Sequence, residues 1–577
     1  MFPGDASVLI VGAGPVGMVL ALELARLRVP ALLVDAEAAT RAYPKGNTHN
    51  ARTMEHYRRL GLAGRVRAVG LPADHPTDVA YFTRLSGHEL ARLPMPSTAG
   101  KLAAAREADD FAQVIEPIHR ANQMYVEKVL ADACERSPLI SVCRGWRAEE
   151  FTQHEGGVNL TVRPAGGGRW EEDAGGTDPA TGTGGRPVTV RGAFLVGCDG
   201  GSSRIRKQLG IRYAGEGPLG TSLFGGPMVS AHLRIPGLRA HLAGREFWQG
   251  WSVNRDVVTD LITLDGRDEY MTHSALGSNT DSAQLAAVVA RALACDVDVE
   301  VLTMAPWTAG RALVADKFAS GRVFLCGDSV HLFTPTGGLG MNTGVDDAAN
   351  LAWKLAAVLQ GWGGPGLLAS YEAERHPVAV RNTTAARALA RSVQSVQVGA
   401  NIEEPGPAGD AERRRVGALL SQMGEEFASV GIQLGARYDG SPVVLGDGTQ
   451  APPDRPDVYE PSATPGGRLP HLRLPDGSSV FDRLGHGFTL LRTGKPGRVD
   501  ADIEALRRQA SATGVPLRVV SVGHDDAAGF YGAPLLLVRP DQHVAWRGAR
   551  VDDPARILAT VTGNAGESPG LTLQSAG

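Results

Sequence analysis

Two carboxylates in this sequence stand at strand ends beside glycine-rich turns, where a phosphorylated or polyhydroxylated ligand could be held. The first belongs to Gly12-Ala13-Gly14-Pro15-Val16-Gly17, a G-x-G-x-x-G turn. It follows the apolar run Ser7–Val11, opens a helical pattern over Pro15–Leu27, and is trailed by the strand-like Ala31–Val34 with Asp35 and Ala36 at its end. Gly12 permits the tight turn, Gly14 lets the backbone approach a pyrophosphate, and Gly17 lets helix and strand pack closely. The helix opening at Pro15 and Val16 points free N–H groups at the phosphates, and Asp35 accepts hydrogen bonds from ribose hydroxyls. A glycine turn in an unrelated α/β fold would look similar, and the motif suits FAD or NAD(P) equally.

The second carboxylate favours flavin. Gly321 to Cys326 reads as an apolar strand ending in Gly327-Asp328, followed by His331, Pro335, Thr336, Gly337, Gly338, Gly340, Met341 and Asn342. Asp328 at the carboxyl edge of a sheet suits a ribityl chain. The glycines let backbone lie flat against a planar ring. A helix from near Asn342–Thr343 would aim its positive end at the ring edge that turns negative on reduction.

The order Gly327-Asp328, His331, Pro335, Gly337-Gly338-Leu339-Gly340-Met341-Asn342-Thr343-Gly344, then Asp347-Ala-Ala-Asn350-Leu351-Ala-Trp353-Lys354-Leu355, resembles the single-component (class A) flavoprotein monooxygenases, aromatic hydroxylases related to para-hydroxybenzoate hydroxylase. The segment from Phe194 through Asp199-Gly200 to Arg206 resembles the family's Asp-Gly motif, near the flavin pyrophosphate and the NAD(P)H path; without the family it is a strand-to-helix turn. Arg120 and Gln123 resemble the helix residues that face flavin in relatives, against the plainer reading of a solvated helix face. Where many relatives have Pro-Arg, this chain has Pro44-Lys45, and lysine lacks the planar bidentate fork of arginine. Lys45, Arg41 and Arg52 all remain candidates for that role.

The resemblance implies FAD as cofactor, NADPH or NADH as transient reductant, and uptake of dioxygen as a flavin C4a-hydroperoxide that transfers oxygen to an aromatic ring. One strand-linked G-x-G-x-x-G leaves NAD(P)H no second Rossmann site. His49, His273 and His331 are candidates for activating a phenol, although a histidine satisfied by its surroundings is the commoner case. Phe224, Phe247, Trp248, Trp251 and Tyr270, with Pro335, Thr336 and Gly337, are candidate pocket walls, and ordinary core packing is the alternative for each aromatic. Length and a C-terminal extension are most similar to hydroxylases of polycyclic aromatic polyketides. Catabolic phenol hydroxylases, a flavin reductase that inserts no oxygen, and a non-catalytic FAD-binding sensor or scaffold are the competing readings.

The elements that must position these residues spread over 577 residues. A net charge of -4 gives no basic field for nucleic acid. Five scattered cysteines without CxxC spacing suggest reduced thiols in a cytoplasmic protein with no metal cluster. Glycines and Glu23 interrupt the apolar N-terminus, which argues against a membrane segment. The expected fold class is α/β: a Rossmann-type FAD-binding domain over 1–80, 105–210 and 307–400, interrupted by a mainly antiparallel substrate sheet over 81–104 and 211–306. A connector at 401–467, a thioredoxin-like α/β unit at 468–565 and a loose tail at 566–577 would follow. The thioredoxin-like unit has no cysteine and so no dithiol chemistry; a structural or subunit-contact role, as in a homodimer, is expected. Residues 165–185 read as an exposed excursion between the strands 157–163 and 187–190.

Overall fold

The computed structural model describes residues 4–165, 185–217, 227–242, 244–276, 280–308, 311–394, 396–424, 427, 429–495 and 497–565. The expected excursion, apart from its two ends, and the expected loose tail lie outside the described residues.

The strand–helix–strand unit is β1 (Val8–Val11), α1 (Pro15–Arg26) and β2 (Ala31–Asp35). After α2 (Ala51–Arg59), the chain leaves for another sheet as β3 (Val79–Phe82) and β4 (Glu89–Leu93). It returns through α3 (Gln123–Arg136), β5 (Ile140–Arg144) and β6 (Phe194–Gly197). A second excursion carries β7 (Pro227–Arg234), β8 (Gln249–Val253), β9 (Val258–Thr263), β10 (Glu269–Ser274), α4 (Ser282–Leu293) and β11 (Glu300–Thr308). Then come β12 (Val323–Leu325) and the helices α5 (Leu339–Leu359), α6 (Pro365–Gln394) and α7 (Pro407–Leu420). The last unit holds β13 (Phe488–Arg492), α8 (Asp500–Ala512), β14 (Leu517–Ser521), β15 (Leu535–Val538), β16 (Val544–Gly548) and α9 (Pro554–Val561).

Beside a short antiparallel edge strand at Ala319–Ser320, the first sheet runs β12-β6-β1-β2-β5, with these five parallel. Parallel strands need crossovers and are buried on both faces, which explains the uninterrupted apolar run of β1, where Val8, Leu9 and Ile10 are wholly buried. These five strands point the same way, so Val11, Gly197 and Leu325 end at one edge. The turns that follow them therefore meet, although they are separated by more than a hundred residues in sequence.

The second sheet runs β11-β7-β10-β9-β8-β3-β4. Only β3 and β8 pair in parallel, Val79 opposite Gln249; the other neighbours are antiparallel. Its period of two sorts the side chains. Tyr81, Trp251, Ile262, Met271 and Met228 face one way. Phe82, Leu261, Tyr270 and Val229 face the other, under Leu285, Val289 and Leu293 of α4. That helix, which the alternating pattern gave no reason to expect, starts with a capping box between Asp281 and Gln284. Residues Thr98–Glu107, expected with the sheet, form a helix. The C-terminal sheet runs β14-β13-β15-β16, with β13 and β14 parallel and the rest antiparallel. No helix among the described residues is long and apolar enough to cross a membrane.

Glu23, 1% exposed, ties α1 to α2: Arg59 reaches it at 2.6 Å and Arg26 at 2.9 Å. Burial opposes its ionisation, but the two arginines outweigh burial and hold the carboxyl down to about 2. Its folded pKa lies below the unfolded value, so its contribution is fully present above about pH 4.5 and is lost as pH falls toward 2. Thermal melts should therefore show falling stability across that window. Glu23→Gln should cost about 3–5 kcal/mol near neutral pH by leaving the arginines unpaired, and should flatten the acid decline.

Candidate cofactor and substrate site

At the first turn, Gly12 has φ +105°, and a Cβ there would lie 2.2 Å from the Cys198 carbonyl oxygen. A Cβ on Gly17 would lie 1.9 Å from the Gly12 oxygen. Both positions are closed to any side chain by backbone. Gly14 differs: its Cβ would meet nothing within 4 Å, and it caps α1 without a side-chain hydrogen bond. A helix start with its N–H groups uncapped, on the open side of a close-packed turn, fits a pyrophosphate. Asp35 accepts from the Ala13 N–H at 2.5 Å and from the Glu37 N–H at 2.8 Å, and its remaining lone pairs suit ribose hydroxyls. Pro15 and Val16 open the helix, and Ala36 follows the strand.

The adjoining strand ends supply the rest. Gly327, at φ +64°, packs on Val16, and half-exposed Asp328 sits 3.9 Å from half-exposed Lys45. Gly337 and Gly338 adopt φ +75° and +61°, and α5 begins at Leu339, three residues before the expected Asn342. Gly340 and Met341 lie in its first turn. Asn342 donates to the carbonyls of Thr48 at 3.0 Å and Gly338 at 2.6 Å and accepts from the Asn50 N–H at 3.0 Å. These bonds fix the helix start against residues 48–50. Gln123 donates its backbone N–H to the Gly46 carbonyl at 2.7 Å, beside Lys45.

In the Asp-Gly motif, Asp199 accepts from the N–H groups of Arg204 and Ile205, while its buried Oδ1 has no hydrogen-bond partner. Burial holds its carboxyl above the ordinary range. Gly200 turns the chain at φ +81°. Arg206 binds the carbonyls of Gly201 and Ser329 and lies 3.9 Å over the Tyr213 ring, whose hydroxyl donates to the Asp328 carbonyl. Sequence reading missed this staple between the two motifs. The basic residues Arg204, Arg206 and Lys207 were its one visible trace.

Several expected roles need correction. Arg52 does not serve the flavin: it is 5% exposed and spent on Glu55, Asp346, Gln542 and the Asp541 carbonyl. His331 is wholly buried against Asp347 at 2.6 Å, in an ion cluster with Arg375, so it is a structural group rather than a base. His49 is wholly buried beside Tyr57, and burial pushes its imidazole down to about 3. Thr336 points at α6, donating to the Ala386 carbonyl. Phe247 and Tyr270 belong to the core under α4, on the far face of the sheet, and are not pocket walls. Phe224 lies outside the described residues.

The near face of the sheet is different. Trp251 stacks on Tyr81 with centroids 6.5 Å apart, and Arg120 lies 3.8 Å over the Trp248 ring. Arg120 also donates to the Thr48 hydroxyl at 2.5 Å, and Met271 accepts from Asn47 at 3.2 Å. Two strands present a dyad on this face: Asp260, 1% exposed, holds His273 Nδ1 at 3.0 Å and accepts from Gln249 at 2.9 Å.

Residues 5–386 match the family model described as FAD binding domain, and residues 462–565 match that of the aromatic-ring hydroxylase C-terminal region. The chain belongs to the FAD-dependent aromatic-ring hydroxylases. The FAD-dependent monooxygenase apdD of Emericella nidulans is 31% identical to this hydroxylase over 99% of this chain and 92% of its own length. Tetracenomycin B2 monooxygenase-dioxygenase of Streptomyces olivaceus is 30% identical over 96% of this chain and 97% of its own. A structure of RebC, chromopyrrolic acid-soaked with bound 7-carboxy-K252c, is 34% identical and superposes with a TM-score of 0.85 over 98% of this chain and all of its own. The hydroxylase is thus a flavin monooxygenase, and its turns at 12–17, 199–200 and 327–340 lie within the segment that matches the FAD binding domain.

Gly14→Ala adds a methyl that meets no protein atom at a φ of -74° that alanine adopts freely. It should leave the apoprotein's stability within about 0.5 kcal/mol while raising the FAD dissociation constant at least tenfold in a fluorescence titration. Gly17→Ala should instead fail on folding, seen as lost soluble yield.

Proposed function

We propose that this enzyme hydroxylates a polycyclic aromatic phenol of polyketide type, using NAD(P)H and dioxygen, with the Asp260–His273 dyad holding the phenolic hydroxyl. The observation that carries the reading is the contact chain joining the near face of the sheet to the start of α5. Trp248 packs on Arg120, Arg120 binds Thr48, and the Thr48 carbonyl accepts from Asn342 in the first turn of α5. Aromatic walls and an uncapped helix start are thereby held side by side. The names of relatives that act on tetracenomycin B2 or bind 7-carboxy-K252c support a multi-ring substrate.

FAD, when bound, carries electrons from NAD(P)H to dioxygen. The chain's own part is binding, orientation and exclusion of water. The helix start at Gly14 takes the pyrophosphate, and Asp328 beside Lys45 takes the ribityl hydroxyls. The N–H groups opening α5 favour negative charge on the ring edge. Trp248 and Trp251 give broad, stiff surfaces to a planar substrate. Asp260 fixes the imidazole of His273 through Nδ1, and an imidazole so held can accept the phenolic proton, which raises electron density in the ring. The last unit, with parallel β13–β14 beside antiparallel β15–β16 and no cysteine, is read as a thioredoxin-like unit without redox chemistry.

NAD(P)H oxidation in air should accelerate when multi-ring phenols are added, with one oxygen atom gained in the product by mass. Stimulation by single-ring phenols alone would transfer the enzyme to phenol catabolism, and oxidation without oxygen gain would make it a reductase. His273→Gln should lower hydroxylation by about 10²-fold or more while leaving FAD affinity unchanged. Unchanged hydroxylation would remove the dyad from the reaction.

A further inference from the structure

Among the contacts of the C-terminal unit with the flavin-binding region is a buried turn, Arg539-Pro540-Asp541-Gln542. Arg539, wholly buried in its side chain, binds Glu374 at 2.6 Å and Asp541 at 2.6 Å. Asp541 also accepts from Trp353 at 3.1 Å and Asn350 at 3.3 Å, both on α5. Gln542 accepts from Arg52 at 2.6 Å, and Arg52 lies 3.5 Å from Asp346 on the same helix. Asp346 binds Arg375 at 2.5 Å, Arg375 binds Asp347 at 2.7 Å, and Asp347 accepts from the Gly327 N–H at 3.2 Å. An ionic chain thus runs from the last unit, along α5, to the residue before Asp328.

The backbone of this turn is unusual. Among the described residues, Arg28, Ala294 and Gln542 are the non-glycine residues with positive φ. The first two are exposed just after helices, whereas Gln542, at φ +69°, is buried. Glycine would sit there without strain, yet the chain carries a long amide that reaches across to Arg52. A strained, buried side chain bonded across a unit boundary points to a demand other than local turn formation.

We propose that the Arg539–Gln542 turn is a positioning element of the flavin site, which fixes the axial placement of α5 and hence the distance of its N-terminal N–H groups from the flavin ring. The proposal rests on the reading that the start of α5 faces that ring. Oxidised flavin is neutral at the ring edge and reduced flavin is negative. A shift of the helix start therefore weakens binding of the reduced form more than the oxidised form.

Gln542→Gly tests it, because glycine relieves the backbone strain and removes only the amide that holds Arg52. The bound flavin of purified holoenzyme should become harder to reduce. Its reduced-over-oxidised binding ratio should fall several-fold to tenfold, a tenfold fall being about 30 mV for a two-electron couple measured against a reference dye. Gln542→Glu, which keeps an acceptor facing Arg52, should restore the wild-type potential. If glycine lowers the melting temperature and leaves potential and FAD dissociation constant unchanged, the turn is merely structural and the proposal is overturned. An unchanged variant by all three measures overturns it as well. Should Gln542→Gly not fold, Gln542→Asn, which tolerates positive φ and is one methylene shorter, serves for the same measurements. Failure of the wild-type chain to bind FAD would sink the reading of α5 instead, which keeps the two failures distinct.

Discussion

The carbonyl oxygens of Cys198 and Gly12 set how closely the ends of β1 and β6 and the start of α1 can converge. A methyl group on Gly12 would lie 2.2 Å from the first, and one on Gly17 would lie 1.9 Å from the second. Only bare backbone allows α1, β1 and β6 to close to this distance, far inside ordinary packing. That closure brings the uncapped start of α1, the Asp199-Gly200 turn and the Gly327-Asp328 edge onto one surface. Gly327 in turn rests on Val16, so the turn proposed for the pyrophosphate also seats the one proposed for the ribityl chain.

The second dependence is ionic. Buried charge is expensive unless each group is paired and hydrogen-bonded. Here Glu374 meets that requirement by facing both Arg539 and Lys354, its carboxyl held down to about 2 by those cations against the opposing effect of burial. Such clusters specify more than they stabilise, because few arrangements satisfy every member at once. The helix α5, whose first turn is proposed to face the flavin, is gripped along its length by residues from other parts of the chain.

Much of this was legible in the sequence, and the legible part has a common character. The turns at Gly12–Gly17 and Gly327–Gly340 announce themselves because close approach and positive φ demand glycine at fixed spacing. The first sheet announces itself because buried parallel strands are uniformly apolar. What escaped was whatever depends on partners distant in sequence. His331 and Arg52 were plausible functional groups by type, yet Asp347 and Gln542 claim them, and neither pairing leaves a local trace. Phe247 and Tyr270 were assigned by composition, and their side of the sheet is set by strand register. The dyad illustrates the same limit: His273 drew notice, but its partner Asp260 is thirteen residues away on a neighbouring strand.

The alternation in β8, β9 and β10 has a consequence for how such an enzyme can diverge. Asp260, Ile262, Met271 and His273 share the face that carries Tyr81 and Trp251, the face proposed to receive the substrate, while Leu261 and Tyr270, their direct chain neighbours, lock into the core beneath α4. On that proposal, recognition and foldedness are written on interleaved positions of the same few strands. A lineage can revise every second residue to suit a new ring system while the residues between keep the sheet intact. Selectivity is in that sense a detachable layer, one residue deep, on a platform whose own stability need not be renegotiated.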